Sequence, residues 1–283
     1  MMRWLVTGAG GMLGRDLCTV LAEAGETDVV AATHDVLDIT HAAAVRAAVA
    51  GCDVVVNAAG WTDVDGAEAA EQAATAVNGY GVAVLAEAAG PRLFQISTDY
   101  VFDGTATAPY PEDAPTAPLN AYGRGKLVGE RAALAGGGFV VRTAWLYGAH
   151  GRNFVGTMLR LASERETVDV VADQEGPPTW SYALAAQLVA LAGAAAAGHA
   201  APGIYHGTAG GQTTWYGLAR AVFAEAGLDP ARVRPTTSDR FVRPAPRPTF
   251  SVLGHERWHG TGVPPLPGWR AMLTAAMSRV LIP

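Results

Sequence analysis

The chain has 283 residues and a formal net charge of −6; half of its residues are hydrophobic and 16% are charged. That length suits one large core, or one domain with a smaller appendage, and an acidic balance with no basic block excludes nucleic acid as an expected partner. Cys18 and Cys52 make no C-x-x-C pair, the first glycines come too soon for a signal peptide, and the longest apolar run, 183–197, is too short and alanine-rich to cross a bilayer, so a reduced cytoplasmic setting is expected.

Residues 3–7 read as a short buried strand. A glycine turn follows, with Gly8, Gly11 and Gly14 at G-x-x-G-x-x-G spacing, and then a helical pattern through Leu17, Val20 and Leu21. Strand, glycine turn and helix together point to dinucleotide binding: glycine lets the backbone approach a pyrophosphate, and the helix N-terminus offers free N–H groups. The backbone of Gly8, Gly11, Met12, Leu13 and Gly14 is the expected cradle. A second strand, 28–33, ends at Thr33 and His34 with no carboxylate squarely at its tip. A carboxylate there would favour NAD, whereas His34 tolerates a 2′-phosphate, so NADPH is expected, with NADH as the alternative. Asp38 and Ile39 begin a turn placed beside the adenine.

The run 53–57 is β-branched, as a central parallel strand buried on both faces should be. It ends in Ala58, Ala59 and Gly60, small enough for a cofactor to lie close. Thr62, Val64 and Asp65 follow at the edge where open α/β sheets bind ligands. One long helix is expected over 67–89, and then a strand over 93–97 running into Thr98-Asp99-Tyr100. A proline- and threonine-rich loop, 105–119, leads to the segment Asn120-Ala121-Tyr122-Gly123-Arg124-Gly125-Lys126, and a further strand spans 139–145.

Tyr122 and Lys126 stand one helical turn apart. A phenol beside an ammonium is a poised acid, because the cation favours the phenolate. Lys126 is the only lysine against nineteen arginines. A single exception at that place suggests a role a guanidinium cannot fill. Thr98, at a strand end two dozen residues earlier, completes a hydroxyl, tyrosine and lysine set. Alternating strands and helices up to about residue 148 imply right-handed βαβ units and an α/β fold, a doubly wound parallel sheet of Rossmann type with a smaller C-terminal lobe. The expected division is a dinucleotide-binding domain over 1–148, its core completed by a strand and the alanine-rich helix within about 166–198, and a mainly substrate-binding lobe over 149–283.

The glycine turn, Ser97–Gly104, Leu119–Lys126 with Gly129-Glu130, and Arg142–Gly148 resemble extended short-chain dehydrogenases, and more narrowly the dTDP-4-dehydrorhamnose reductases. The resemblance covers nearly the whole chain. It implies that NADPH reduces the 4-keto group of a dTDP-4-keto-6-deoxysugar. By it Thr98 holds the carbonyl, Tyr122 protonates it, and Lys126 lowers the tyrosine pKa and binds the nicotinamide ribose. Thr62, Val64, Tyr100 and Trp145 match positions lining the sugar site. Each also has a plainer reading: Thr62 and Val64 as loop packing, Trp145 as a core aromatic, Asp99 as a turn cap rather than a second acid. Arg247 is expected on a diphosphate or on a surface carboxylate.

Rival readings are an epimerase or dehydratase on the same fold and a non-catalytic regulatory subunit. Dehydratases of the superfamily carry glutamate where Tyr100 stands, and a phenol is a poor base for elimination. His255-Glu256-Arg257-Trp258-His259 spells a zinc-protease motif, but no His, Asp, Glu or Cys follows it, so no metal is expected there. A short polar helix is expected instead. No membrane partner is expected; the oligomeric state stays open, with a homodimer as one option.

Overall fold

The computed structural model describes residues 2–280. The first half is built from β1 (Trp4–Thr7), α1 (Met12–Glu23), β2 (Val29–Ala32), α2 (Ala42–Val49), β3 (Val54–Asn57), α3 (Val64–Ala69), α4 (Glu71–Thr75), α5 (Val82–Ala89), β4 (Leu93–Thr98), α6 (Ala121–Ala135) and β5 (Phe139–Thr143). The second half holds β6 (Leu146–Tyr147), α7 (Phe154–Glu164), β7 (Val168–Val171), β8 (Glu175–Gly176), β9 (Thr179–Trp180), α8 (Ser181–Ala196), β10 (Gly203–His206), β11 (Thr213–Thr214), α9 (Trp215–Glu225), β12 (Val233–Thr236) and α10 (Trp269–Val280).

Six strands form one parallel sheet in the order β10-β5-β4-β3-β1-β2. Residues of β1, β3, β4 and β5 are buried throughout, and side chains alternate between two apolar layers. Trp4, Val6, Val54 and Val56 face one layer with Leu13, Leu17, Leu184 and Leu188. Leu5 and Val55 face the other with Val45, Val82 and Leu85. Continuous β-branched runs therefore make sense here, because helices cover both faces. From β1 the chain steps one way to β2 and then back across to β3. That reversal opens a crevice at the carboxyl ends of β1 and β3, where the glycine turn and Ala58–Gly60 lie.

Two expectations change. The strand at 168–171 forms, but it pairs with β12 in a separate two-stranded sheet. The sixth strand of the main sheet is β10, beside β5. In β10, Tyr205 packs against Trp258 in one apolar layer and Ile204 faces the other, whereas β7 alternates buried and exposed residues and faces a different core with Leu218, Phe223 and Leu273. The helix over 67–89 is also not continuous. It breaks at Ala70 (φ −137°, ψ 44°) and widens to a π-helical stretch at Ala76–Gly81. The widened turn carries Asn78 to the loop after β3, where its amide donates to the Trp61 carbonyl at 3.0 Å and accepts from the Trp61 N–H at 2.8 Å. π-bulges of this kind tend to sit at functional sites.

Helix α6 starts at Asn120, whose side chain accepts from the Gly123 N–H at 2.8 Å. Its glycines let it sit close to its neighbours. A Cβ at Gly123 would come within 2.2 Å of the Tyr100 carbonyl oxygen, and one at Gly129 within 2.2 Å of the Asn78 carbonyl oxygen. Gly129→Ala is therefore expected to destabilise the fold by about 1–3 kcal/mol, since backbone on both sides must move. A denaturant midpoint matching wild type would contradict this packing. Among the described residues, no helix is long and apolar enough to cross a membrane.

Candidate active site

Gly8 adopts φ +68° after β1, and a Cβ there would meet the Ala59 nitrogen at 2.5 Å; at Gly14 a Cβ would meet the Gly8 oxygen at 2.2 Å. These two glycines let β1, β3 and α1 close on one another. Gly10 and Gly11 are different: a Cβ at Gly10 makes only an ordinary 3.5 Å contact, and at Gly11 a 3.3 Å one. Gly11 caps α1 with no side-chain hydrogen bond, and the first turn carries no acid. The N-terminal N–H groups of α1 thus face a cavity of about 710 Å³ without a side-chain partner. Its volume and bare glycine rim fit the diphosphate of a dinucleotide.

That cavity gathers the whole of the sequence-derived cofactor set. Gly8, Gly11, Met12, Leu13, Gly14, His34, Asp38, Ile39, Ala58, Ala59, Gly60, Tyr122 and Lys126 all line it, and so does Thr62. Behind it, within the sheet, runs a buried polar ladder. The Thr7 hydroxyl donates to Asn57 Oδ1, and Asn57 Nδ2 donates to Gln95 Oε1 at 2.7 Å, tying β1, β3 and β4 together.

A second cavity, about 460 Å³, lies in the C-terminal lobe and is lined by Tyr100, Phe154, Gln174, Trp215, Arg243 and Arg247 among others. The rings of Tyr100 and Tyr122 meet edge to face, with centroids 6.0 Å apart, so this pair is where the two cavities adjoin. Arg247 donates to Asp65 Oδ1 and to the Ala245 carbonyl oxygen, and it acts on the Tyr100 phenol. It pairs with a carboxylate on the first turn of α3, the second of its two readings, while still lining the cavity. Val64 starts α3 and lines neither cavity. Trp145 lines neither, and one face of its indole is covered by Trp215 at 3.5 Å between ring centroids, nearly coplanar. Its φ of +48°, rare for so bulky a residue, holds the indole there. Trp215 is the aromatic presented to the cavity, with Trp145 behind it.

The hydroxyl, tyrosine and lysine come together. The Thr98 hydroxyl donates to Asp99 Oδ1 at 3.0 Å and accepts from the Tyr100 N–H at 3.1 Å. Burial and the nearby Asp99 carboxylate push the Tyr122 phenol up to about 12, against a smaller opposite pull from the Thr98 hydroxyl. Lys126 donates to the Ile96 carbonyl oxygen at 2.6 Å, and burial brings its ammonium down to about 8, with Glu130 opposing. The expected acidification of Tyr122 by Lys126 does not show in this arrangement, where burial and Asp99 set the phenol. Both groups lose water on burial, and the ammonium is directed at a carbonyl.

Asp99 is buried beneath Thr98, and its Oδ2 has no hydrogen-bond partner among the described residues. Burial raises its carboxyl to about 6 despite Thr98 and the Ser251 hydroxyl. A carboxyl whose folded pKa lies above the unfolded value of about 3.9 favours the fold below pH ~3.9 and loses that contribution as pH rises to about 6. Between pH 4 and 7 the wild type should thus lose about 2–3 kcal/mol relative to Asp99→Asn. Parallel pH profiles of the two proteins' unfolding free energies would refute the buried acid.

Residues that sequence reasoning missed include Asn78, Arg152, Phe154, Gln174 and Trp215. They lie in helices or loops with no local motif; only the fold brings Arg152, Phe154, Gln174 and Trp215 to the cavities and Asn78 to the backbone of cavity-lining Trp61. The H-E-x-x-H stretch forms a single 3-10 turn, Glu256–Trp258, as a short helical element, but it is not wholly polar, because Trp258 is buried in the main core and its indole N–H donates to the His206 carbonyl oxygen at 2.8 Å. His255 Nε2 is bonded to the Thr208 hydroxyl, and exposed His259 pairs with Glu256.

Comparison with known proteins agrees with this architecture. Residues 2–282 match the family model described as RmlD substrate binding domain. The chain is 54% identical to a dTDP-4-dehydrorhamnose reductase of Streptomyces griseus, over 96% of this chain and 92% of that one. It is 51% identical to a dTDP-4-keto-6-deoxy-D-glucose reductase of Streptomyces niveus, over 97% of this chain and 96% of that one. A crystal structure of dTDP-4-dehydrorhamnose reductase from Bacillus anthracis in complex with NADP superposes with a TM-score of 0.92 at 34% identity, covering 98% and 99% of the two chains. With its glycine-rimmed cleft and a family match along almost its whole length, the chain belongs to the RmlD substrate binding domain family of Rossmann-type, extended short-chain dehydrogenases.

Proposed function

We propose that the protein is an NAD(P)H-dependent reductase of a dTDP-4-keto-6-deoxysugar, with dTDP-4-dehydrorhamnose, reduced to dTDP-L-rhamnose, as the leading substrate. The observation that carries this reading is the position of Tyr122. It stands between a cleft that fits a dinucleotide and a second cavity furnished with aromatic side chains and two arginines.

The cofactor, when bound, supplies hydride to the carbonyl carbon. The residues of this chain manage the oxygen. The Thr98 hydroxyl turns from Asp99 to donate to it and holds it beside Tyr122. The Tyr122 phenol, protonated at neutral pH because burial keeps its pKa near 12, gives up its proton as negative charge grows on that oxygen. An alkoxide is a far stronger base than a phenolate, so the transfer runs downhill even from a weakened acid. Lys126, with its pKa near 8, is largely cationic at pH 7 and offsets the phenolate left behind. Tyr100 occupies the place where an eliminating enzyme needs a base; burial raises its phenol further, which makes it a poorer one. Reduction is favoured over dehydration on that ground.

In the second cavity Trp215 and Phe154 suit the flat faces of a nucleobase, and Arg243 and Arg247 suit its diphosphate. Tyr100, and Thr62 from the loop after β3, would then flank the sugar, with Trp145 bracing Trp215. On this reading residues 1–148 with α8 and β10 form the dinucleotide-binding unit, and most of the remainder forms the substrate lobe. A cytoplasmic location, where nucleotide sugars and reduced nicotinamide are found, suits two free cysteines. A homodimer is the assembly proposed.

The test mixes purified protein, NADPH or NADH, and dTDP-4-dehydrorhamnose, and follows reduced-nicotinamide absorbance. Loss of signal that requires the sugar supports the reading. Tight cofactor binding with no consumption would instead indicate a regulatory subunit.

A further inference from the structure

We propose that Arg152 grips the diphosphate of the dinucleotide, making the loop between β6 and α7 a second jaw against the glycine turn. The inference rests on the cofactor reading above.

Three observations support it. First, Gly151 and Arg152 line the same cavity as Gly8–Gly14. The two walls stand close, since a Cβ at Gly148 would lie 3.6 Å from Met12 Cγ and 3.4 Å from Asp16 Oδ2, on the first two turns of α1. Second, the loop is tied down at both ends. Ser181 donates to Asp16 and to the Tyr147 carbonyl oxygen, and the His150 imidazole lies 3.8 Å from Asp16 Oδ1. Asn153 Nδ2 donates to the Gly148 carbonyl oxygen at 2.9 Å, closing the loop on itself while Gly151 turns it at φ +68°. Arg152 therefore projects from a braced hairpin rather than from a free strand of chain.

Third, the charge inventory leaves this side chain for the task. Among the described residues, Lys126 and Arg152 are the lysine and arginine side chains that line the cavity. Lys126 is buried and directed at the Ile96 carbonyl. Arg15, also near the glycine turn, spends its Nε–H on the Gly10 carbonyl oxygen and does not line the cavity. Arg152 is exposed and has no hydrogen bond or ion pair among the described residues. The helix end supplies N–H dipoles but no full charge. A guanidinium fork supplies both charge and paired donors in the geometry a phosphate accepts.

The sequence around it explains why nothing flagged it. Gly148-Ala149-His150-Gly151-Arg152-Asn153 follows a strand and precedes a helix, and carries no phosphate-binding spacing of its own.

The test is equilibrium binding, by fluorescence or calorimetric titration, of NADPH, NADH and ADP-ribose to wild type, Arg152→Ala and Arg152→Lys. All three ligands share the diphosphate; the 2′-phosphate is on NADPH alone. Arg152→Ala should raise Kd about tenfold or more for all three, and Arg152→Lys should lie between it and wild type. The salt dependence of binding should flatten in Arg152→Ala. Unchanged Kd values would overturn the proposal. A loss confined to NADPH would overturn it too, by moving Arg152 to the 2′-phosphate. Wild type binding none of the three would instead sink the cofactor reading itself. Because the side chain is exposed and unpartnered, neither substitution threatens the fold, which thermal unfolding of the unliganded variants would check.

Discussion

Tyr122→Phe is expected to lower kcat by about 10²–10⁴-fold, the usual worth of a positioned proton donor, while NADPH affinity stays near wild type. The reasoning is geometric. The ring packs edge to face on Tyr100 and lines the cofactor cleft, and phenylalanine keeps both contacts. Only the hydroxyl beside Thr98 disappears. The loss should fall on kcat and kcat/KM together, because the proton is needed only as charge develops on the oxygen. Steady-state rates and cofactor titrations on one preparation separate the effects. Turnover equal to wild type would remove Tyr122 from the chemistry.

Glu130→Ala should produce the largest loss of stability, about 3–5 kcal/mol. Glu130 lies on the same face of α6 as Tyr122 and Lys126, two turns beyond the tyrosine. It accepts from Arg142 Nε at 2.9 Å and from Arg142 Nη2 at 2.8 Å, and it also accepts from the Ser97 hydroxyl. Both ends of the ion pair are almost fully buried, at 2% and 1% exposure. Arg142 also lies over the Phe102 ring and donates to the Glu112 carbonyl oxygen. Removing the carboxylate strands a guanidinium in the core. Replacing both partners with apolar residues of similar volume should recover most of the loss, since the cost is the unpaired charge and not the absent bridge. A denaturant midpoint for Glu130→Ala within about 1 kcal/mol of wild type would contradict this account of the network. The same change removes the one group that opposes the depressed Lys126 pKa, so the ammonium should lose its proton at lower pH in the variant.

Local patterns were enough for the first half of the fold. Strand, glycine turn and helix appear in sequence order, and continuous Val-rich runs mark strands buried on two faces. The Tyr122 and Lys126 pair is legible for the same reason: one helical turn places both groups. Where the outcome depends on distant packing, local reading stops. Nothing near Val168 says that its strand pairs with Val233 rather than joining the main sheet. Nothing near Asn78 says that a helix of good formers widens to point one amide at Trp61. Trp215 is far from Tyr100 in the chain, and only the fold of the second lobe brings both to one cavity. Electrostatics inverted one expectation. A lysine one turn from a tyrosine suggests an acidified phenol, but burial and the Asp99 carboxylate raise the phenol while the ammonium is turned to the Ile96 carbonyl.

Hydride tracing tests the central reading most directly. The protein would be given dTDP-4-dehydrorhamnose and NADPH carrying deuterium at the transferable position, and the product sugar read by NMR. Direct carbonyl reduction places one deuterium on C4 and leaves C5 and C6 unlabelled by the cofactor. No deuterium in the sugar, or deuterium at C5 or C6, would contradict direct reduction and return the protein to an epimerising, eliminating or non-catalytic role.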